Sequence, residues 1–198
     1  GASSYGIVLI SSISTISDEG VIEKPKEFKS DLKFYLIGLM FFLNIGIGIS
    51  LLSNLTQLSL DKGLSLELAV GLVAIVGIAN TVGRLVYSAI SEIIGGLLTL
   101  NLIAILQTIA LLLIQFEVTW EVGVVIVISV YGGMFAIMPS FLKTLYSTTT
   151  AYSRILIVWG VSGLIVPSLF STYGISLLAI MSSIINLVMS KRKIYLSI

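Results

Sequence analysis

Ionisable residues in this chain are confined to short clusters, and the stretches between them are too long and too apolar for a soluble fold. Uncharged runs cover residues 34–60, 68–83, 93–116, 122–142 and 155–190. A spanning helix needs roughly 20 consecutive apolar residues, and the bilayer core admits only backbone that satisfies its own hydrogen bonds. The second run is interrupted by Arg84 alone and continues to residue 91, and the last is long enough for two helices. Only 11% of the 198 residues are charged, against about 25% in a soluble domain, and the mean hydropathy is +1.10. The pattern predicts an all-α, multi-pass membrane protein in contact with the lipid bilayer.

Six apolar helices are expected, over about 34–59, 67–91, 96–116, 121–143, 151–171 and 174–190. They form a transmembrane domain over 34–190, followed by a short tail at 191–198. The boundary between the last two rests on Pro167 and Gly174 rather than on charge. Before the domain, residues 18–33 mix Asp18, Glu19, Glu23, Lys24, Lys26, Glu27, Lys29, Asp31 and Lys33 with Pro25, the composition of a solvated loop. Residues 1–17 are uncharged and apolar without the basic start of a signal peptide. With no initiating methionine ahead of them, they read as the end of a preceding transmembrane helix and the chain as a fragment.

Basic residues set the orientation. Nine of them (Lys24, Lys26, Lys29, Lys33, Lys143, Arg154, Lys191, Arg192 and Lys193) fall on one side of the predicted spans, and Lys62 alone falls on the other. The loop at 18–33 and the C-terminus are therefore expected to be cytoplasmic, with the domain in the cell membrane. Cysteine and histidine are both absent, which removes thiol nucleophiles, disulfides, histidine proton relays and metal ligation through either residue. No acid pair, serine–lysine dyad or phosphate-binding glycine loop occurs at a useful spacing. No enzyme activity, cofactor or metal is expected, and the net charge of +1 gives no reason to expect nucleic acid.

The helices carry small and polar stripes. Gly46, Ser50, Ser53, Asn54 and Gln57 recur at helical spacing in the first, Gly132, Ala136 and Ser140 in the fourth, and Gly160, Gly163 and Pro167 in the fifth. Tight helix packing and ligand contact both account for such stripes. Arg84 is sharper. A guanidinium stays protonated everywhere, and near the bilayer centre it costs roughly 2.5–3.5 kcal/mol on insertion scales. It lies seven residues before Ser91, about 10 Å inside the expected helix end, with Asn80 one turn above and Tyr87 and Ser88 one turn below. Its planar fork matches a carboxylate in two parallel bonds. A structural arginine, tied to backbone carbonyls or to an acid elsewhere, is the competing account.

Four strings resemble the C-terminal half of major facilitator superfamily transporters, in particular the oxalate/formate antiporter family and related monocarboxylate transporters. They are Phe41-Phe42-Leu43-Asn44 with Gly48 and Ser53-Asn54, and Asn80-Thr81-Val82-Gly83-Arg84 running into Ser91-Glu92-Ile93-Ile94-Gly95. The others are the run from Tyr131-Gly132-Gly133 to Pro139-Ser140-Phe141-Leu142, and Trp159-Gly160 with Gly163 and Pro167. The resemblance covers about residues 31–190. It implies helices seven to twelve of a twelve-helix fold, an N-terminal six-helix half as partner, and a substrate held near the midplane between halves. The substrate-binding set it implies is Arg84, Asn80, Asn54, Tyr131 and Trp159, with Phe135 on a cavity-lining helix and Glu92 in a cytoplasmic gating loop. Asn80 stands where proton-coupled relatives commonly hold an acid, so exchange or uniport is expected. The eleventh helix lacks the lysine of oxalate carriers, which favours a monoanion such as formate or lactate over oxalate. Glu92 replaces an aspartate, and Ile93 and Gly96 replace basic residues of the family's loop. A facilitator for a non-carboxylate substrate and a non-transporting membrane fragment are the alternatives.

Overall fold

A computed structural model describes residues 28–147, 150–168 and 184. Among them every regular element is helical, and five helices are long and apolar enough to cross a membrane. They are α1 (Leu32–Asp61), α2 (Leu66–Ile94), α3 (Gly96–Ile114), α4 (Trp120–Tyr146) and α5 (Thr150–Ser168). The first five expected spans are thus present. The sixth, together with residues 1–27 and the C-terminal tail, lies outside the described residues, apart from residue 184.

Three helices run further than the charge pattern predicts, for local reasons. Asp31 caps α1, its Oδ1 accepting from the Phe34 amide at 2.8 Å. Ser65 caps α2 in the same way through the Leu68 amide, and Glu67 adds negative charge to the first turn. Neither Ser91 nor Glu92 stops α2, which continues to Ile94, so the expected loop after it reduces to Gly95. Gly95 sits at φ +86°, a conformation that suits glycine, and α3 begins at the next residue. At its other end α4 extends to Tyr146 and closes on Ser147.

The helices alternate in direction. The α1 start, the α2 end, the α3 start, the α4 end and the α5 start share one face of the bundle, here the Tyr146 end. Asp61, Lys62, Glu117 and Trp120 meet at the opposite face. Two apolar clusters fill the interior. One, toward the Tyr146 end, includes Phe34, Phe41, Tyr87, Met134, Ile137 and Phe141. The other includes Leu51, Leu55, Val76, Leu111, Trp120 and Val127. Helix α1 is the most enclosed, with 67% of its apolar window buried, whereas α2 and α5 each bury 22%.

Lipid is as apolar as leucine, so membrane helices associate by close packing rather than by escape from water. Glycines supply it here. The α2–α4 pair packs most extensively, with Gly83 against the Ser129 backbone carbonyl, Gly132 against the Asn80 carbonyl and Gly133 against the Tyr87 ring. At the α1–α5 crossing a Cβ on Gly46 would stand 2.6 Å from Ser162 Oγ, and that hydroxyl donates to the Phe42 carbonyl at 2.6 Å. Gly132 therefore belongs to a packing stripe. Ala136 and Ser140 line an open groove instead. Buried amides add a polar tie: Gln107 Nε2 donates to the Asn44 carbonyl at 3.2 Å, linking α3 to α1.

At the Tyr146 end, the Tyr146 hydroxyl donates to Asp31 Oδ1 at 2.8 Å. Slight burial pushes the Asp31 carboxyl up, but the Phe34 amide, the Tyr146 hydroxyl and the nearby Lys33 charge outweigh it and hold the group below the usual aspartate value. A carboxyl depressed in the folded state stabilises the fold above its unfolded pKa and loses that contribution as pH falls through the lower, folded value. Asp31→Ala is expected to destabilise the protein at neutral pH by about 1 kcal/mol, the ordinary worth of an N-cap. Thermal unfolding in detergent should show the gap between the two proteins narrowing as pH drops below about 4.

Candidate functional site

Phe135 is the point where four helices meet. Its ring takes edge-to-face contacts from Phe41 on α1 at 5.6 Å, from Tyr131 one turn back on α4 at 5.4 Å, and from Trp159 on α5 at 5.7 Å. The Arg84 guanidinium of α2 lies over the same ring, its Cζ 5.8 Å from the centroid. Edge-to-face pairs contribute about 0.5–1.5 kcal/mol each beyond burial, so the rings form a stiff wall beside the cation. Tyr131 and Phe135 project together because they are four residues apart on one helix. The Tyr131 ring rests on Gly48, where any side chain would overlap it.

Arg84 itself is exposed. Because α2 ends at Ile94 rather than at residue 91, Arg84 sits about 15 Å from the helix end, further from it than the sequence predicts. At 29 residues α2 is about 44 Å long, more than a hydrocarbon core of about 30 Å needs, and Arg84 lies four residues from its middle. Among the described residues no carboxylate is paired with Arg84; its partner is the Phe135 ring. A cation on an aromatic face gains about 0.5–2 kcal/mol, less than a carboxylate offers it, and all its N–H donors remain for a ligand.

Beside the rings a shallow groove of about 360 Å³ opens between α1, α4 and α5, lined by Ser53, Tyr131, Trp159 and Gly160 among others. Gly160 has open space where a side chain would stand, so it widens this groove and does not seat a helix. Gly163 does pack, against Ile49.

Of the expected binding residues, Arg84, Tyr131 and Trp159 come together in this cluster. Asn80 lies one turn from Arg84, but both its carbonyl and its Oδ1 occupy the space where a Cβ on Gly132 would stand, and Oδ1 is buried without a hydrogen-bond partner. That geometry suits a Cα–H···O contact between helices. Asn54 is half-buried and spends its Nδ2 on the Ser50 carbonyl at 2.8 Å, outside the ring cluster. Tyr87 and Ser88 do not share Arg84's surroundings. Tyr87 is buried against Gly133, and Ser88 belongs to the groove at the Tyr146 end. Glu92 is in helix α2 rather than in a loop, exposed on that second groove of about 600 Å³ between α2, α3 and α4.

Phe41, named in the sequence only within the first of the resembling strings, is a wall residue; only the packing of α1 on α4 brings its ring to Phe135. Gln107, an amide deep in α3, ties helices together without reaching the cluster. Among the described residues no group of acidic side chains is placed to hold a metal ion. No family model matches this chain, and no curated protein matches it.

Proposed function

We propose that this chain forms half of a secondary carrier of small organic anions, with Arg84 as the carboxylate anchor. The observation that carries the reading is the position of Arg84: near the middle of a helix long and apolar enough to span a membrane, exposed, free of any carboxylate partner among the described residues, and backed by an aromatic wall. A permanent cation at that depth calls for water, an anion or an acidic partner on its open side. An anion that binds and leaves meets that need and yields a transport cycle.

The large unburied faces of α2 and α5 fit a second, N-terminal six-helix half packed across the site. Together the two halves make a major-facilitator fold that works by alternating access. The Tyr146 end and the C-terminus face the cytoplasm of a cell-membrane protein in this reading. A monocarboxylate such as formate or lactate is preferred to oxalate, because one cation balances one negative charge. Asn80 cannot carry a proton, so the cycle is exchange or uniport.

Counterflow of labelled formate, lactate and oxalate, measured in proteoliposomes holding the carrier with both halves, tests this. Saturable exchange of a monocarboxylate, with oxalate the weaker substrate, is the expected result. Absence of flux for all three would remove the carboxylate reading and leave a facilitator of another solute, in which Arg84 is structural, or a non-transporting membrane protein.

A further inference from the structure

The segment just ahead of α1 is built into the bundle. Phe28 is only 9% exposed although it precedes the helix. Its ring packs edge-on against Phe34 at 4.9 Å and against Tyr146 at 5.1 Å, and the Arg154 guanidinium lies 5.0 Å above it. Phe34 reaches Tyr146 as well, at 5.9 Å. The Tyr146 hydroxyl then bonds to Asp31, the same carboxylate that caps α1. Residues from the α1 approach, the α4 end and the α5 start are thereby fastened at one point.

Helix α4 carries a second relevant feature. Pro139 lies inside it, between the ring pair Tyr131 and Phe135 and the fastened residue Tyr146. Proline has no amide hydrogen, so the helical bond from residue 139 to the Phe135 carbonyl is missing, and α4 bends most easily there. The part of α4 beyond Pro139 is therefore held at its far end and pliant at its near end.

We propose that Phe28, Asp31 and Phe34 form a latch with Tyr146 and Arg154, which keeps the last part of α4 closed on α1. Releasing the latch lets that part swing about Pro139. Residues 28–34 thereby gain a mechanical hold on the helix that carries Tyr131 and Phe135. The latch does not depend on which solute the protein carries, or on whether it carries one.

The chain has no cysteine, so one introduced thiol reports on its own surroundings. Leu142 and Val124 are both fully buried on α4, the first beyond Pro139 and the second near the opposite end. Leu142→Cys and Val124→Cys are placed separately in the full chain in nanodiscs and labelled with a water-soluble maleimide. Tyr146→Phe keeps the ring and loses the bond to Asp31; Phe28→Leu removes the ring stack. Each is expected to speed labelling at Leu142→Cys about five- to tenfold, the equilibrium change from losing one hydrogen bond or ring contact. Labelling at Val124→Cys should stay unchanged. Adding Pro139→Ala to the Tyr146→Phe variant should return the Leu142→Cys rate toward its starting value. Equal rates with and without the latch would overturn the proposal, as would equal acceleration at both reporters, which marks general loosening. A rate that stays high after Pro139→Ala would overturn the hinge.

Discussion

Arg84→Gln is expected to lower saturable carboxylate counterflow by about 10- to 100-fold while leaving the protein at least as stable as before. A hydrogen bond to a charged group contributes about 1.5–3 kcal/mol, and each 1.4 kcal/mol is tenfold in affinity. The loss should appear first as a raised KM, since the interaction removed is one made with bound substrate. Stability should move the other way. The guanidinium is exposed and has only the Phe135 ring as partner among the described residues, so its removal gives up one cation–π contact and relieves the cost of a charge at membrane depth. Arg84→Lys keeps the charge but not the two-pronged geometry, and is expected to recover only part of the transport. The two readings of Arg84 separate cleanly on paired measurements. A structural arginine would make Arg84→Gln unfold at lower temperature, with flux lost in proportion to the folded fraction. An anion anchor would give intact unfolding and collapsed flux.

Much of this architecture is legible before any coordinates, because a bilayer tolerates so few solutions. Uncharged runs of the right length must be helices, and the five of them within the described residues are. Their ends are less legible, since the code there is local. Ser91 and Glu92 look like an exit from the membrane, yet the helix runs on until Gly95 at positive φ ends it. The extra turn puts Arg84 several ångströms further from the helix end. The ring cluster was half visible: Tyr131 and Phe135 share a helix face by spacing, whereas their meeting with Trp159 and Phe41 depends on how α1 and α5 pack against α4. Asn54 illustrates the opposite case. An amide in an apolar helix invites a binding role, but it can return its N–H to its own backbone, and here it does so at Ser50. The Phe28–Tyr146 contact was not legible at all. Phe28 and Asp31 sit in a run of mixed charge that reads as solvated, and their partners on α4 and α5 lie more than a hundred residues away.

Gly83→Ala is expected to be the most damaging single methyl addition in the bundle, at about 3 kcal/mol or more, the upper part of the range for overpacking. The new Cβ would overlap the Ser129 carbonyl oxygen, and backbone of a packed helix cannot turn aside as a side chain can. Gly132→Ala meets the Asn80 carbonyl and should behave alike, whereas Gly133→Ala meets only the Tyr87 ring, which has more freedom to shift. Gly71 and Gly77 lie on the same helix as Gly83 with nothing within 4 Å of the added atom. Alanine there should be neutral or stabilising by up to about 1 kcal/mol, because glycine is the poorer helix former. Thermal unfolding followed by the fluorescence of Trp120 and Trp159 compares the five sites directly. Similar unfolding of Gly83→Ala and Gly77→Ala would mean that α2 and α4 do not approach as described. The contrast bears on function as well as on stability. Gly83 immediately precedes Arg84, and its missing side chain lets α2 lie close enough to α4 for the guanidinium to reach Phe135. Any residue bulky enough to part the two helices would carry the cation off its aromatic seat. Where Gly132→Ala still folds, it should therefore lose carboxylate affinity before it loses the fold.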